Sequence, residues 1–262
     1  MGNATGADTL RSVAGKIVRE VKMDNPVSPE TLELLGRVST NTLTGLMIKL
    51  AGLRTRAVLG VRPLVPSRSR FVGPAFTVRY VPIREDLTER ASMASPKSHL
   101  HGTYDRIPRG SVLVMDMMRN DTCGCLGDVL VAGLIARGVA GLVCDGGIRD
   151  GEAIAGMTLP VFSAGVAAPP SNRALLAADI QVRIGCGGVL VEPGDIVVGD
   201  PDGVVIVPRH MADELARKGV EQEDVEAWVR KRVENGEPVT GLYPPGEKTL
   251  AEYREWVAAG CR

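Results

Sequence analysis

The alternation of apolar and polar positions changes period most clearly between Gly127 and Asp150, GDVLVAGLIARGVAGLVCDGGIRD. Val129, Ala132, Leu134, Ile135 and Ala136 have the spacing of a helix packed on a sheet, and Gly138 is placed as its stop. Val139 to Cys144 is a short unbroken apolar run, as in a strand buried on both faces. Asp145-Gly146-Gly147 predicts a loop after it. A helix followed by a strand returns the chain to the side it left. Asp128 and the Arg149-Asp150 pair, with twenty residues between them, are therefore expected to meet at the mouth of one crevice.

On the N-terminal side, Ser28-Pro29-Glu30-Thr31 predicts a helix start, with Leu32, Leu34, Leu35 and Val38 following. Ser39-Thr40-Asn41-Thr42 starts a second helix carrying Leu43, Leu46, Met47 and Leu50 on one face, and Gly52 ends it. Phe71-Val72 and Phe76 to Tyr80 read as two strands separated by a Gly73-Pro74 break, and Glu85 to Arg90 as a polar, helix-compatible segment. Val112 to Met115 is a buried strand ending at Asp116, and Leu159 to Phe162 is another. Val182 to Leu190 mixes strand residues with glycines, and Pro193 to Pro208 reads as turn, strand, tight Asp202-Gly203 turn, strand. A long charged amphipathic helix follows from Met211 to Asn235, then an extension containing Gly241-Leu242-Tyr243-Pro244-Pro245 and Tyr253 to Trp256. Short strands on either side of one central helix-strand unit favour an α/β protein, a β/β/α layered domain with helical ends, over a long parallel array. The expected division is an arm over 1–27, a core domain over 28–210, and a C-terminal helix and tail over 211–262.

Composition narrows the function. The chain is 44% hydrophobic but only 3% aromatic, so aliphatic side chains must fill the core. The 31 basic residues balance the 31 acidic ones, which argues against a nucleic-acid footprint spread over the surface. No apolar run reaches the length of a membrane span, the N-terminal stretch lacks an apolar signal core, and Met1 to Ala7 reads as frayed. Five scattered cysteines without a secretion signal fit a reducing cytoplasm. Cys123 and Cys125 are spaced too closely for a zinc knuckle, and Cys144 and Cys186 read as small buried residues. His99 and His101 would share one face of a strand, but no third ligand lies near them in sequence, so they read as solvated loop residues.

The chemistry suggested by the Gly127–Asp150 stretch is that of an oxyacid held beside a divalent cation. Arg149 offers a planar fork to a carboxylate. Asp128 and Asp150 offer hard oxygens to Mg²⁺, which takes few protein ligands. Backbone amides around Val129 and Leu130 would add an anion site at a helix N-terminus. The same residues would also serve as an ordinary helix cap and a surface ion pair.

Gly127-Asp128, the twenty-residue spacing, Arg149-Asp150, and the hairpin Pro193-Gly194-Asp195…Asp200…Asp202-Gly203-Val204-Val205 together resemble the RraA-like family. So do Gly60-Val61-Arg62-Pro63-Leu64 and Val72-Gly73-Pro74-Ala75. The resemblance covers roughly residues 30–210. It implies a β/β/α sandwich of the swivelling-domain kind, assembled as trimers or hexamers with the active site at a subunit boundary. The family includes class II 4-hydroxy-4-methyl-2-oxoglutarate/4-carboxy-4-hydroxy-2-oxoadipate aldolases and regulators of ribonuclease activity. For this chain it implies a Mg²⁺- or Mn²⁺-dependent lyase that releases pyruvate from a 4-hydroxy-2-oxo acid, with oxaloacetate decarboxylation as a side activity. Asp150 would ligate the metal directly and Asp128 through water. Arg149 would hold the substrate carboxylate and enolate oxygen, while the backbone at Gly127, Val129 and Leu130 would bind the pyruvyl carboxylate. Two positions depart from the family pattern: Ala153 stands where an acid is usual, and Asn41-Thr42-Leu43-Thr44 replaces another. The alternatives are a non-catalytic regulator that binds a ribonuclease and a sugar-acid dehydratase using the same site.

Overall fold

The protein is described from a computed structural model covering residues 27–86, 104 and 106–260. The expectations for the arm up to residue 26, for most of Glu85–Arg90, for His99 and His101, and for Cys261 lie outside the described residues. None of the described helices is long and apolar enough to cross a membrane.

Both N-terminal helices begin where the sequence places them. Helix α1 (Pro29–Arg37) is capped by the Ser28 hydroxyl, which accepts the Thr31 N–H at 3.0 Å. Helix α2 (Thr40–Ala51) is capped by Ser39 in the same way, at 3.1 Å from the Thr42 N–H, and stops at Gly52 in the left-handed region. These hydroxyls satisfy amide groups that a helix start leaves without intrahelical partners.

One eight-stranded sheet carries the fold. Its strands are β1 (Arg62–Pro63), β2 (Phe71–Pro82), β3 (Val112–Asp116), β4 (Gly141–Ile148), β5 (Val161–Val166), β6 (Leu175–Ile180), β9 (Ile196–Asp200) and β10 (Gly203–Val207). A separate hairpin is formed by β7 (Ile184–Cys186) and β8 (Val189–Val191). The order in the large sheet is β1-β5-β4-β3-β2-β9-β10, with β6 also paired to β2. Strands β2, β3, β4 and β5 run parallel, joined in part through α3 (Asp128–Arg137) and the short α4 (Gly151–Ala155).

Two predicted breaks are absent. Strand β2 runs without interruption through Gly73-Pro74, pairing with β9 over Phe71–Pro74 and with β3 from Ala75. Pro74 falls at the changeover between partners, where a missing donor is best tolerated. Strand β4 continues through Asp145-Gly146-Gly147 to Ile148, with a register shift against β5. A Cβ on Gly146 would lie 2.5 Å from the Asn120 carbonyl oxygen, and one on Gly147 would lie 2.6 Å from that of Cys123. These glycines mark close approach of another chain segment, not the end of a strand.

Alternation along the strands builds the layers. Leu113, Met115, Leu142 and Cys144 face α3. Val112, Val114 and Val143 face the other way, against Val197, Val204, Ile206 and the β7–β8 hairpin. The outer face of β9–β10, through Ile196, Val198, Val205 and Val207, packs on α1, α2 and α5 (Ala212–Glu234). The sequence-based β/β/α sandwich with helical ends is therefore the observed architecture. Helix α6 (Glu247–Ala258) closes the chain by packing Tyr253 and Trp256 on Trp228 of α5.

Candidate active site

The site is assembled where the loop before α3 crosses the end of β4. The Cys125 N–H donates to the Gly147 carbonyl at 3.0 Å, and the Arg149 N–H donates to the Leu126 carbonyl at 2.8 Å. These two bonds set residues 124–127 alongside Ile148–Asp150. The approach leaves no room for a side chain at Gly124 or Gly127. A Cβ on Gly124 would fall 2.5 Å from Arg149 Cγ, and one on Gly127 would fall 2.2 Å from Asp150 Oδ2. The stem of Arg149 therefore lies along a glycine-lined track.

Gly127 caps α3 without a side chain, and Asp128 is the first helical residue. The Asp128 N–H faces Asp150 Oδ2 at 3.4 Å. Asp150 has φ 53° and ψ 39°, a left-handed conformation that costs a non-glycine residue on the order of 1–3 kcal/mol. Its carbonyl accepts the Ile154 N–H at 2.9 Å, so the backbone of Asp150 starts α4 while its carboxylate reaches the start of α3. A negative group at that helix start is favourable, since the helix dipole is positive there.

The structure thus brings together Gly127, Asp128, Arg149 and Asp150, as the helix-strand return predicts. Arg149 and Asp150 are exposed, and Arg149 forms no salt bridge among the described residues. The Val129 amide is a correction to the expected anion site. It donates to Asp128 Oδ1 at 2.7 Å and so is engaged by the neighbouring carboxylate. The Leu130 amide has no acceptor among the described residues. Val129 itself is 78% exposed, an apolar side chain at the mouth of the site. Among the described residues, no three His, Cys, Asp or Glu side chains cluster in a way that could hold a metal ion.

Sequence reading missed the groups that brace this end of the sheet. Asp145, buried in β4, accepts the Met117 N–H at 2.6 Å and the Gly187 N–H at 3.0 Å. Burial pushes its carboxyl above the ordinary carboxylate range, against the pull of those two amides. Asp116 accepts the Met118 and Gly185 amides at 3.0 and 3.1 Å. Met118 and Arg119 between them are both left-handed, with φ 56° and 57°. The available signal was an acid at the C-terminal end of each of two adjacent strands, Asp116 and Asp145. Reading Asp145-Gly146-Gly147 as a loop hid the second. The Ser-Thr cluster at α2 is tied to the hairpin instead of lining the site: Asp200 accepts both the amide and the hydroxyl of Thr40 at 2.8 Å, and Asp202 accepts Asn41 Nδ2 at 2.7 Å.

Residues 36–206 match the model of the family described as RraA-like: Aldolase/RraA. The chain belongs to the RraA-like family. One RraA-like relative, from Halalkalibacterium halodurans, carries the name "Putative 4-hydroxy-4-methyl-2-oxoglutarate aldolase"; it is 31% identical over 210 residues, covering 80% of this chain and 93% of that protein. Protein DlpA of Legionella pneumophila is 27% identical over 179 residues, 68% of this chain, but the match spans only 28% of DlpA. Among solved structures, Streptomyces coelicolor RraAS2, described as an unusual member of the RNase ES inhibitor RraA protein family, superposes with a TM-score of 0.71 at 31% identity. That match covers 79% of this chain and 98% of RraAS2.

Proposed function

We propose that this RraA-like chain is a divalent-metal-dependent lyase that cleaves a 4-hydroxy-2-oxo acid to pyruvate and a second oxo compound. The observation that carries this reading is the Asp150 carboxylate held at the Asp128 amide, next to an exposed Arg149 that forms no salt bridge among the described residues, on a glycine-tight crossing. A surface ion pair has no need of a left-handed aspartate or of glycines at both 124 and 127.

The donor set suits the cation. Two hard carboxylates, with no third acidic, thiol or imidazole ligand clustered beside them among the described residues, fit Mg²⁺ or Mn²⁺ that keeps most of its waters and is completed by substrate oxygens. Asp150 would hold it directly and Asp128 through water. When bound, the cation withdraws electrons from the 2-oxo group and so favours cleavage of the neighbouring C–C bond. Arg149 pairs its fork with the substrate carboxylate and places positive charge beside the oxygen where negative charge develops. Asp128 Oδ1 is held by the Val129 amide. Its Oδ2 remains to orient a water for the proton transfers at the substrate hydroxyl and at the departing carbon. The Leu130 amide supplies a further donor to the carboxylate at the start of α3.

The test is pyruvate release from a panel of 4-hydroxy-2-oxo acids, with and without Mg²⁺ or Mn²⁺. Asp150→Asn keeps a residue that tolerates the left-handed conformation while removing the charge. It is expected to fold normally, lose metal affinity, and lose turnover on the order of 10²-fold or more. Retention of both by Asp150→Asn and Asp150→Ala would refute the assignment. The kinship with RraAS2 supports a second reading, a non-catalytic regulator. A chain that cleaves no 2-oxo acid but binds a ribonuclease tightly would establish that reading instead.

A further inference from the structure

A pair of thiols sits directly behind the proposed site. Cys125 Sγ and Cys144 Sγ are 3.5 Å apart, on the two segments whose crossing positions Arg149. Cys125 lies two residues before Gly127, and its amide is bonded to Gly147; Cys144 lies on β4, five residues before Arg149. Both are buried, Cys125 at 4% exposure and Cys144 at 0%. The Gly146 N–H points at Cys144 Sγ from 3.4 Å. The same core contains two polar atoms without partners among the described residues, the hydroxyls of Tyr80 and Tyr104. Both tyrosines lie in the same buried cluster as Cys125 and Cys144. Buried hydroxyls without partners are uncommon and call for a polar visitor. The catalytic reading uses none of these groups.

We propose that Cys125 and Cys144 form a peroxide-driven disulfide that switches the adjoining site off. This rests on the lyase reading only for its activity readout. Cys125, the less buried thiol, attacks one oxygen of a hydroperoxide. The O–O bond breaks, the sulfur becomes a sulfenic acid, and the departing oxygen leaves as water or an alcohol. Cys144 then attacks the sulfenic sulfur, the S–S bond forms, and hydroxide leaves to take up the remaining proton as water. Two thiols lose two electrons and two protons, and the peroxide gains them. The Tyr80 and Tyr104 hydroxyls supply donors for the peroxide in surroundings that are otherwise apolar.

The effect on the site follows from the packing. A disulfide requires about 2.05 Å between sulfurs, so the pair must close by roughly 1.5 Å. The loop cannot absorb this freely, because Gly124 and Gly127 already sit against Arg149 and Asp150 with no clearance for a methyl group. The shift passes to the crossing, and a misplacement of about 1 Å can cost on the order of 10²-fold in rate. The hydrogen bond with Cys125, together with burial, holds the Cys144 thiol well above its ordinary range, so little thiolate is present and the pair reacts slowly with oxidant.

The experiment treats the full-length reduced protein with hydrogen peroxide, maps its peptides by mass spectrometry, and follows pyruvate release and backbone amide exchange over residues 124–150. Expected is a peptide cross-linked between Cys125 and Cys144, a loss of turnover on the order of 10²-fold that dithiothreitol reverses, and altered exchange at the crossing. Cys125→Ser and Cys125→Ala should each abolish the cross-link and leave turnover insensitive to peroxide, whereas Cys186→Ser should keep both responses. A folded protein whose two thiols stay free after prolonged peroxide overturns the proposal. So does a cross-link that leaves amide exchange at the crossing unchanged. If the reduced protein releases no pyruvate from any substrate, the lyase reading fails by itself, and amide exchange still decides the switch.

Discussion

At the scale of single residues, the site depends on what is missing as much as on what is present. Asp150 reaches the start of α3 only because Gly127 has no side chain there. Gly127 has φ −123°, which any residue can adopt, so Gly127→Ala should fold with little change in melting temperature. Its methyl group would displace Asp150 Oδ2 from a contact at 2.2 Å. The expected outcome is a fall in kcat on the order of 10²-fold with weakened metal binding, measured by steady-state kinetics and metal titration. That Asp128, Arg149 and Asp150 lie at one crossing was legible in the sequence because their spacing matched one helix-strand return. The engagement of the Val129 amide by Asp128 was not, since spacing does not fix a side-chain rotamer.

At the scale of elements, aromatic packing replaces what the strand glycines lack. Phe71 of β2 packs edge-on against Phe162 of β5 at 5.7 Å between ring centroids. Its ring occupies the space over Gly141 and Gly199, where added Cβ atoms would fall 2.8 and 2.2 Å away. Phe71→Ala should therefore destabilise the fold by about 3–5 kcal/mol, and Gly199→Ala by about 1–3 kcal/mol through overpacking. The double variant should be less destabilised than the sum, because removing the ring clears the space the methyl needs. Urea unfolding of the three proteins measures this. Glycine in β2 and β4 predicted breaks because its local preference is for turns. In the folded chain it allows another segment to approach.

At the scale of the whole molecule, Asp145 joins the central sheet to the β7–β8 hairpin through the Met117 and Gly187 amides. Its folded-state carboxyl titrates above the ordinary 3.8 because it is buried. Between those two values the folded protein binds more protons than the unfolded chain. Stability contributed by this group is thus present below 3.8 and lost as pH rises through the raised value. Asp145→Asn removes this dependence, so its unfolding free energy should change less with pH than that of the native protein from 3.8 upward. It should also be offset downward by about 1–3 kcal/mol at all pH, because an amide group can accept only one of the two backbone N–H bonds in place. Denaturant unfolding at several pH values checks both effects. The layers themselves need no such brace in their interiors, where Val112, Val114 and Val143 meet Val197, Val204 and Ile206 through aliphatic contact alone.

The sequence by itself determined what is periodic or local. Serine caps at 28 and 39, the apolar runs of β3 and β4, the Asp202-Gly203 hairpin and the long amphipathic helix all appear where their patterns put them. Each rests on interactions within a few residues or on the repeat of an element's own geometry. Only the tertiary structure decided that Gly73-Pro74 and Gly146-Gly147 continue their strands, that Asp145 is buried, and that Cys125 meets Cys144 across nineteen residues. These outcomes are set by which distant segment arrives alongside. Local preferences differ by about 1 kcal/mol, and a buried neighbour contributes more than that.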